Sequence, residues 1–264
     1  MALPKKAAGR QEEISVLEVA RRQLSVCILG TTPLICNRVS EKAKRELLMP
    51  RGTLNRADKK TNLKHDPLRE YRDSPYTVAG EEHPTRIVMP ATAFKGALRD
   101  VALDMPGAAK SQIGRLTYVI GDQGTDYVSI YGVPQLLMSI VRSADISRTP
   151  DVRSRAIIPQ WACRLTVSFV FPLLRDPVVA NLLAAAGIMR GVGDWRPEKG
   201  AGDYGQFSLV DADNPSFLAV VMNGGRAAQD VALADPQCYD TSTTDLLGWY
   251  VGEIDRRGIT GVAS

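Results

Sequence analysis

The sequence predicts an α/β domain of the α+β kind, built from strands and amphipathic helices that alternate along one chain. Three observations carry that expectation. The stretches LSVCIL (24–29) and WACRLTVSFVF (161–171) alternate apolar and polar residues as half-buried strands do. Two others, 91–103 and 176–186, repeat apolar residues at helical spacing. Glycine and proline clusters separate these runs, and 264 residues suffice to bury a sizeable single core.

Taken in order, residues 1–20 are polar around one apolar cluster, Ile14 to Val19, and are expected as an arm or short helix. Leu24–Leu29 is the first strand, ended by Gly30 and Thr31-Thr32-Pro33. Ser40 caps a helix over 41–48, which Pro50-Arg51-Gly52 stops. Residues 53–84 are rich in Lys, Arg, Asn, Asp and Pro, the composition of a long inserted loop. Its cations, with Tyr71 and Tyr76, offer charge and stacking rings to a nucleic acid. Ile87–Met89 is a strand. The helix at 91–103 puts Phe94, Ala97, Leu98 and Val101 on one face, and Lys95 and Arg99, four apart, on a stripe suited to phosphate.

Tyr118–Ile120, Tyr127–Val133 and Leu136–Val141 are expected as strands, the last two hairpin-like around Gly132-Val133-Pro134. The segment 142–159 is polar and loop-like; in it Arg153 and Arg155 share one face of an extended chain, spaced for successive phosphates. The stretch 161–171 then makes a long central strand. Beyond 210, Phe217–Met222 is expected as a strand, Asn223-Gly224-Gly225 as a turn, and Asp245–Ile254 as a closing helix with Trp249 packed on the sheet.

Between these lies Asp176–Val210, where a helix, a glycine-rich loop and a strand follow one another. Asp176 and Pro177 stand at N-cap and first helical positions, Val178, Val179, Leu182, Leu183 and Ala186 follow at helical spacing, and Gly187 is the expected stop. Gly191, Gly193, Gly200, Gly202 and Gly205 then intersperse with Arg190, Arg196 and Lys199, before a strand marked by Tyr204, Phe207 and Leu209. Such a loop brings bare backbone N–H groups and flexible cations to a polyanion; the plain alternative is a mobile connection. A dinucleotide fingerprint is excluded, because its glycines follow a strand and open a helix.

The net charge of +4 conceals an asymmetry. From Arg38 to Arg72 there are eleven Lys or Arg against five Asp or Glu, whereas 211–245 holds one Arg against six Asp. A basic front half and an acidic tail point to a polyanion on one face and a neighbouring copy near the tail. Cys27, Cys36, Cys163 and Cys238 are scattered without CxxC pairing and are expected as free thiols. No apolar run approaches a bilayer span and the N-terminus lacks the apolar core of a secretory signal, so a cytoplasmic location with no membrane partner is expected.

The stretch MPATAFKGALR (89–99) resembles the Pro, small residues, Lys-Gly-x-x-Arg pattern of backbone subunits of class 1 CRISPR effector complexes, members of the RAMP superfamily. The helix, glycine loop and strand of 176–210 is similar to that superfamily's signature loop, and RSRAIIPQW (153–161) to its Arg-bearing strand. The resemblance implies a modified RRM, ferredoxin-like β-α-β-β-α-β core with long thumb-like insertions. It implies one RRM-like domain over 1–264, a basic thumb-like insertion at 50–85, and a C-terminal strand and helix at 211–264 completing the core. It further implies a subunit of antiviral defence that coats single-stranded RNA (or DNA) copy after copy beside other ribonucleoprotein subunits. The residues expected to bind are Lys95, Arg99, Arg153, Arg155, Arg190, Gly191, Gly193, Arg196, Lys199, Gly200 and Gly202, with Arg51, Lys59 and Lys60 from the insertion.

Cleavage lacks an obvious constellation. A general acid or base needs a pKa near neutral and a positioned partner; His65 and His83 qualify by type alone, in the polar insertion. Asp58 and Asp66 lie where related cleaving subunits carry an Asp, but an isolated Asp in a basic loop reads as an ion-pair partner. Glu81-Glu82 has no histidine support for a metal. The expectation is therefore a non-catalytic binder without cofactor. Its rivals are a sequence-insensitive endoribonuclease on the same fold and a structural assembly protein of a virus.

Overall fold

A computed structural model of the chain describes residues 16–38, 48, 65–142, 150–199 and 202–258. The expected helix at 41–48 and the cations Arg51, Lys59 and Lys60 fall outside those residues, apart from position 48. In chain order the elements are β1 (Ala20–Gly30), β2 (Leu34–Ile35), α1 (Pro67–Asp73), β3 (Tyr76–Thr77), β4 (Ile87–Pro90), α2 (Ala91–Val101), α3 (Lys110–Leu116) and β5 (Thr117–Ile120). Then follow β6 (Tyr127–Ser129), β7 (Gln135–Arg142), β8 (Pro150–Ile158), β9 (Ala162–Phe171), α4 (Asp176–Met189), β10 (Phe207–Val210), α5 (Pro215–Asn223), α6 (Arg226–Ala234) and α7 (Thr241–Arg257).

The expected central strand is β9. It pairs antiparallel with β1 on one side and β5 on the other, and β10 pairs antiparallel with the far edge of β1, giving the order β10-β1-β9-β5. With the helices between them, these strands run β1-α2-β5-β9-α4-β10 in sequence. That is the split β-α-β-β-α-β arrangement of a ferredoxin-like core, the α+β class the alternating pattern predicts. Leu24, Val26 and Ile28 of β1 and Cys163, Leu165, Val167 and Phe169 of β9 face the same side, onto which α2 sets Phe94, Leu98 and Val101, and α4 sets Val179, Leu182 and Leu183. Burial of each such side chain stabilises by about 1.5–3 kcal/mol, which fixes the register of the sheet.

Two three-stranded sheets flank this core, in the orders β2-β8-β7 and β3-β4-β6. They correct three expectations. The strands at 127–133 and 136–141 are no hairpin: β6 pairs with β4, whereas β7 pairs with β8 over eight residue pairs. The polar segment before Pro159 contains a strand, since its Ser154, Ala156, Ile157 and Ile158 are buried while Arg153 points outward. Tyr71 is no stacking ring. It is fully buried on α1, and its hydroxyl donates to the carbonyls of Ala232 (2.9 Å) and Pro134.

The C-terminal expectation of a strand and a helix is also corrected, because 215–257 holds three helices. The apolar FLAVVM run reads as a strand by composition, yet Asn214 caps it, its Oδ1 accepting from the Phe217 N–H at 3.0 Å, and Pro215 occupies the first turn. Trp249 of α7 is 68% exposed and does not pack on the sheet. Gly187 does not end α4; it is buried within it, at a point where a Cβ would meet Phe207. Among the described residues the cysteines are free and no helix is long and apolar enough to cross a membrane.

Candidate nucleic-acid interface

The loop between α4 and β10 is folded tightly. Gly191, Gly193 and Gly205 have positive φ, and added Cβ atoms would lie 2.6 Å from Leu34 Cδ1 at Gly193 and 1.7 Å from the Val192 carbonyl at Gly205. Glycine is required there so that the loop closes on itself and on β2. Its N–H groups are largely used internally: Val192 donates to the Gly205 carbonyl, Gly205 to Pro33, and Asp194 to Ile35. The expectation of bare N–H groups is corrected accordingly. Gly202 packs against the Trp195 backbone, and Gly200 lies outside the described residues.

What the loop does is join two separate sets of cations. On one side Asp194 pairs with Arg155 of β8, whose side chain is only 11% exposed. Burial pulls the Arg155 guanidinium below its ordinary pKa, and Asp194 works against that shift. On the other side the loop reaches α2 and α3, where Asp100 lies between Arg99 (2.7 Å) and Lys110 (3.0 Å) and Glu198 adds to the field on Arg99. The hydrogen bond from Arg99 holds the Asp100 carboxyl well below the usual carboxylate range. Arg196 clasps Glu198 at 2.7 Å and donates to the Gly193 carbonyl, and Arg190 pairs with Asp104.

Arg99, Arg196 and Arg155 are thus brought to one connected stretch, with Lys95 one helical turn from Arg99 on α2 and Arg153 two residues along the same face of β8. Most of these cations already hold carboxylates, which correlates with their fixed positions. Arg155 is too enclosed to reach a phosphate and serves to anchor the loop. Lys95 forms no ion pair among the described residues, and Arg153 is half exposed, 3.6 Å from Asp151. Lys199 ends a short 3-10 turn at 197–199.

Three contributors escape a reading by charge and spacing. Lys110 lies outside every motif. Trp195 is 36% exposed at a positive φ of 50° with its ring tilted over Tyr204, a backbone position rare for a bulky residue. His65 gains partners the sequence does not show: Nδ1 lies 2.8 Å from Glu70 and Nε2 lies 3.0 Å from Asp151, so both ring nitrogens face carboxylates. The hydrogen bond to Glu70 leads in raising its pKa, which favours the doubly protonated ring and removes the lone pair a base would use. Asp66 caps α1 through the Arg69 N–H. Among the described residues no cluster of ligands could hold a metal ion.

The His65 bridge carries a pH dependence. Its pKa is raised above 6.5 in the fold, so the stabilisation is fully present below about pH 6.5 and is lost as pH rises through the raised value. His65→Gln is expected to cost about 1–2 kcal/mol at low pH and little in alkali. Thermal melts of both proteins across that range check it, and parallel curves would refute the bridge.

In class this is a ferredoxin-like α+β domain with two flanking sheets, three trailing helices and a closed glycine loop. No family model and no curated protein matches the chain. It is similar to a chain of the type III-B Cmr-beta complex bound to cognate target RNA, at 16% identity and a TM-score of 0.36, covering 72% of this chain and 59% of that one. It is also similar to Cmr6 from Pyrococcus furiosus, at 9% identity and a TM-score of 0.34, covering 72% of this chain and 98% of that one. The chain spans less than two thirds of the first of these.

Proposed function

We propose that this protein binds single-stranded RNA through its sugar-phosphate backbone, as a non-catalytic subunit of a ribonucleoprotein complex in which further copies line the same strand. The observation that carries the reading is the bridging of α2 and β8 by the glycine loop. The loop carries Arg196 and the exposed Trp195 ring, and its acids act on Arg99 of α2 and pair with Arg155 of β8, the two elements that also carry Lys95 and Arg153. Cations held at fixed points track a backbone without reading sequence, and a ring among them supplies stacking that tolerates any base. The resemblance of residues 89–99 and 176–210 to RAMP backbone subunits supports the same reading.

Fluorescence anisotropy with a labelled oligonucleotide over a salt series tests it. Lys95→Ala with Arg153→Ala is expected to flatten the slope of log affinity against log salt by about one to two units. Adding Trp195→Ala is expected to weaken binding about tenfold further, with little sequence preference. Unchanged affinity and slope in the double variant would show that the strand lies elsewhere.

A further inference from the structure

The side of the central sheet turned away from α2 and α4 presents a second polar surface. The alternation that buries Leu24, Val26 and Ile28 turns Arg21, Gln23 and Ser25 of β1 outward, with Arg164 and Thr166 of β9 and Tyr118 of β5 beside them, while Ser168 shares this face but is buried. Strand register sets these in rows: Gln23, Ser168 and Tyr118 across three strands, and Ser25 opposite Thr166 in the next, their hydroxyls 2.9 Å apart. The Tyr118 ring is 46% exposed. At one end α5 closes the surface, packing Phe217 over Cys27 and Ala162, and the Arg164 guanidinium lies 5.3 Å from the Phe217 ring centroid, as if along a wall.

Charge decides what such a floor accepts. The four strands of this sheet contain Arg21, Arg22 and Arg164 and not one Asp or Glu. Arg22 is turned to the helix side, over Phe171 and toward Asp176, which leaves Arg21 and Arg164 on the open side, neither in an ion pair among the described residues. The loop face behaves otherwise, each of its arginines holding a carboxylate. A floor with two uncompensated guanidinium groups, a pair of hydroxyls and one exposed phenol ring fits an anionic, base-bearing chain better than an apolar helix or an acid-poor protein surface.

We propose that this helix-free face is a second, separate site for single-stranded nucleic acid, with Arg164 and Arg21 on phosphates, Tyr118 under a base, and the Ser25–Thr166 pair within reach of sugar hydroxyls. The chain would then hold two strands on opposite sides of one sheet. The inference does not depend on the loop face being correct.

Titration of the intact protein with a short oligonucleotide, U-rich RNA in one arm and T-rich DNA in the other, reads the number of strands bound per chain. Two equivalents are expected. Arg164→Glu with Tyr118→Ala should remove one of them, or weaken it more than about tenfold, and leave the other unchanged. Lys95→Ala with Arg153→Ala should spare the equivalent that the first pair removes. Both Arg164 and Tyr118 are exposed, so an unchanged melting temperature confirms the fold, and Arg164→Lys should restore part of the lost affinity. One equivalent in the native protein, untouched by the Arg164 and Tyr118 changes, overturns the proposal. So does loss of a single shared equivalent with either pair. Retention with RNA alone would assign the face to sugar hydroxyl contacts, and equal binding in both arms to phosphate and stacking.

Discussion

Gln229→Leu is expected to lower the unfolding free energy by about 3–5 kcal/mol, although it exchanges a buried polar side chain for an apolar one of similar size. Gln229 is fully buried on α6, and its amide is saturated. Oε1 accepts from the Arg86 and Ile87 N–H groups, both at 2.8 Å, and the two Nε2 hydrogens are shared among the carbonyls of Ile130, Gly132 and Gly224 at 2.8 to 3.0 Å. Leucine removes a partner from five backbone atoms in three segments, of which the Gly224 carbonyl keeps the Gly132 N–H. Each buried backbone group left unpaired costs about 1–3 kcal/mol, partly relieved where water enters. A shifted denaturation midpoint at constant slope is the expected record. A loss below about 1 kcal/mol would mean that α6 does not depend on this clamp.

Gly205→Ala is expected to cost about 3 kcal/mol and to abolish binding at the loop face together. The backbone there has a φ of +70°, and the new Cβ would lie 1.7 Å from the Val192 carbonyl oxygen. A left-handed conformation alone costs a non-glycine residue about 1–2 kcal/mol. The clash adds to that, and it falls on the pair of hydrogen bonds that closes the loop, Val192 to Gly205 and Gly205 to Pro33. Opening the loop separates Asp194 from Arg155 and Glu198 from Arg99, so the two cation sets lose their common support. Gly252→Ala on α7 is the matched control, since a Cβ there meets nothing within 4 Å. It should stabilise by up to about 1 kcal/mol and leave binding unchanged. Wild-type affinity in Gly205→Ala would show that loop closure does not position the interface.

Where local rules and tertiary packing agreed, the sequence was legible. Strands β1 and β9 announce themselves through alternation, and α2 and α4 through apolar spacing, because each buries one face against the same core. The glycine loop is visible as composition, but its purpose is not. Glycines that look like freedom are there because β2 and the loop's own carbonyls leave no room for a Cβ. FLAVVM reads as a strand because β-branched content outweighs Asn214 and Pro215, and β8 reads as a loop by composition because its arginines disguise a strand with Ser154, Ala156 and Ile158 inside, although the likeness of 153–161 to an Arg-bearing strand points to it. His65 and Gln229 offered no signal, since their partners are distant in sequence.

The core elements β1, α2, β9 and α4, the α+β class, the basic stripe on α2 and the absence of acids in the four core strands were determined by the sequence alone, through periodicity and side-chain chemistry acting over a few residues. Which cations are neutralised and which stay uncompensated, and which face of the sheet is left open, was decided only by tertiary structure. A charge is defined by its neighbours within a few ångströms, and here those neighbours come from segments brought together by burying a common core.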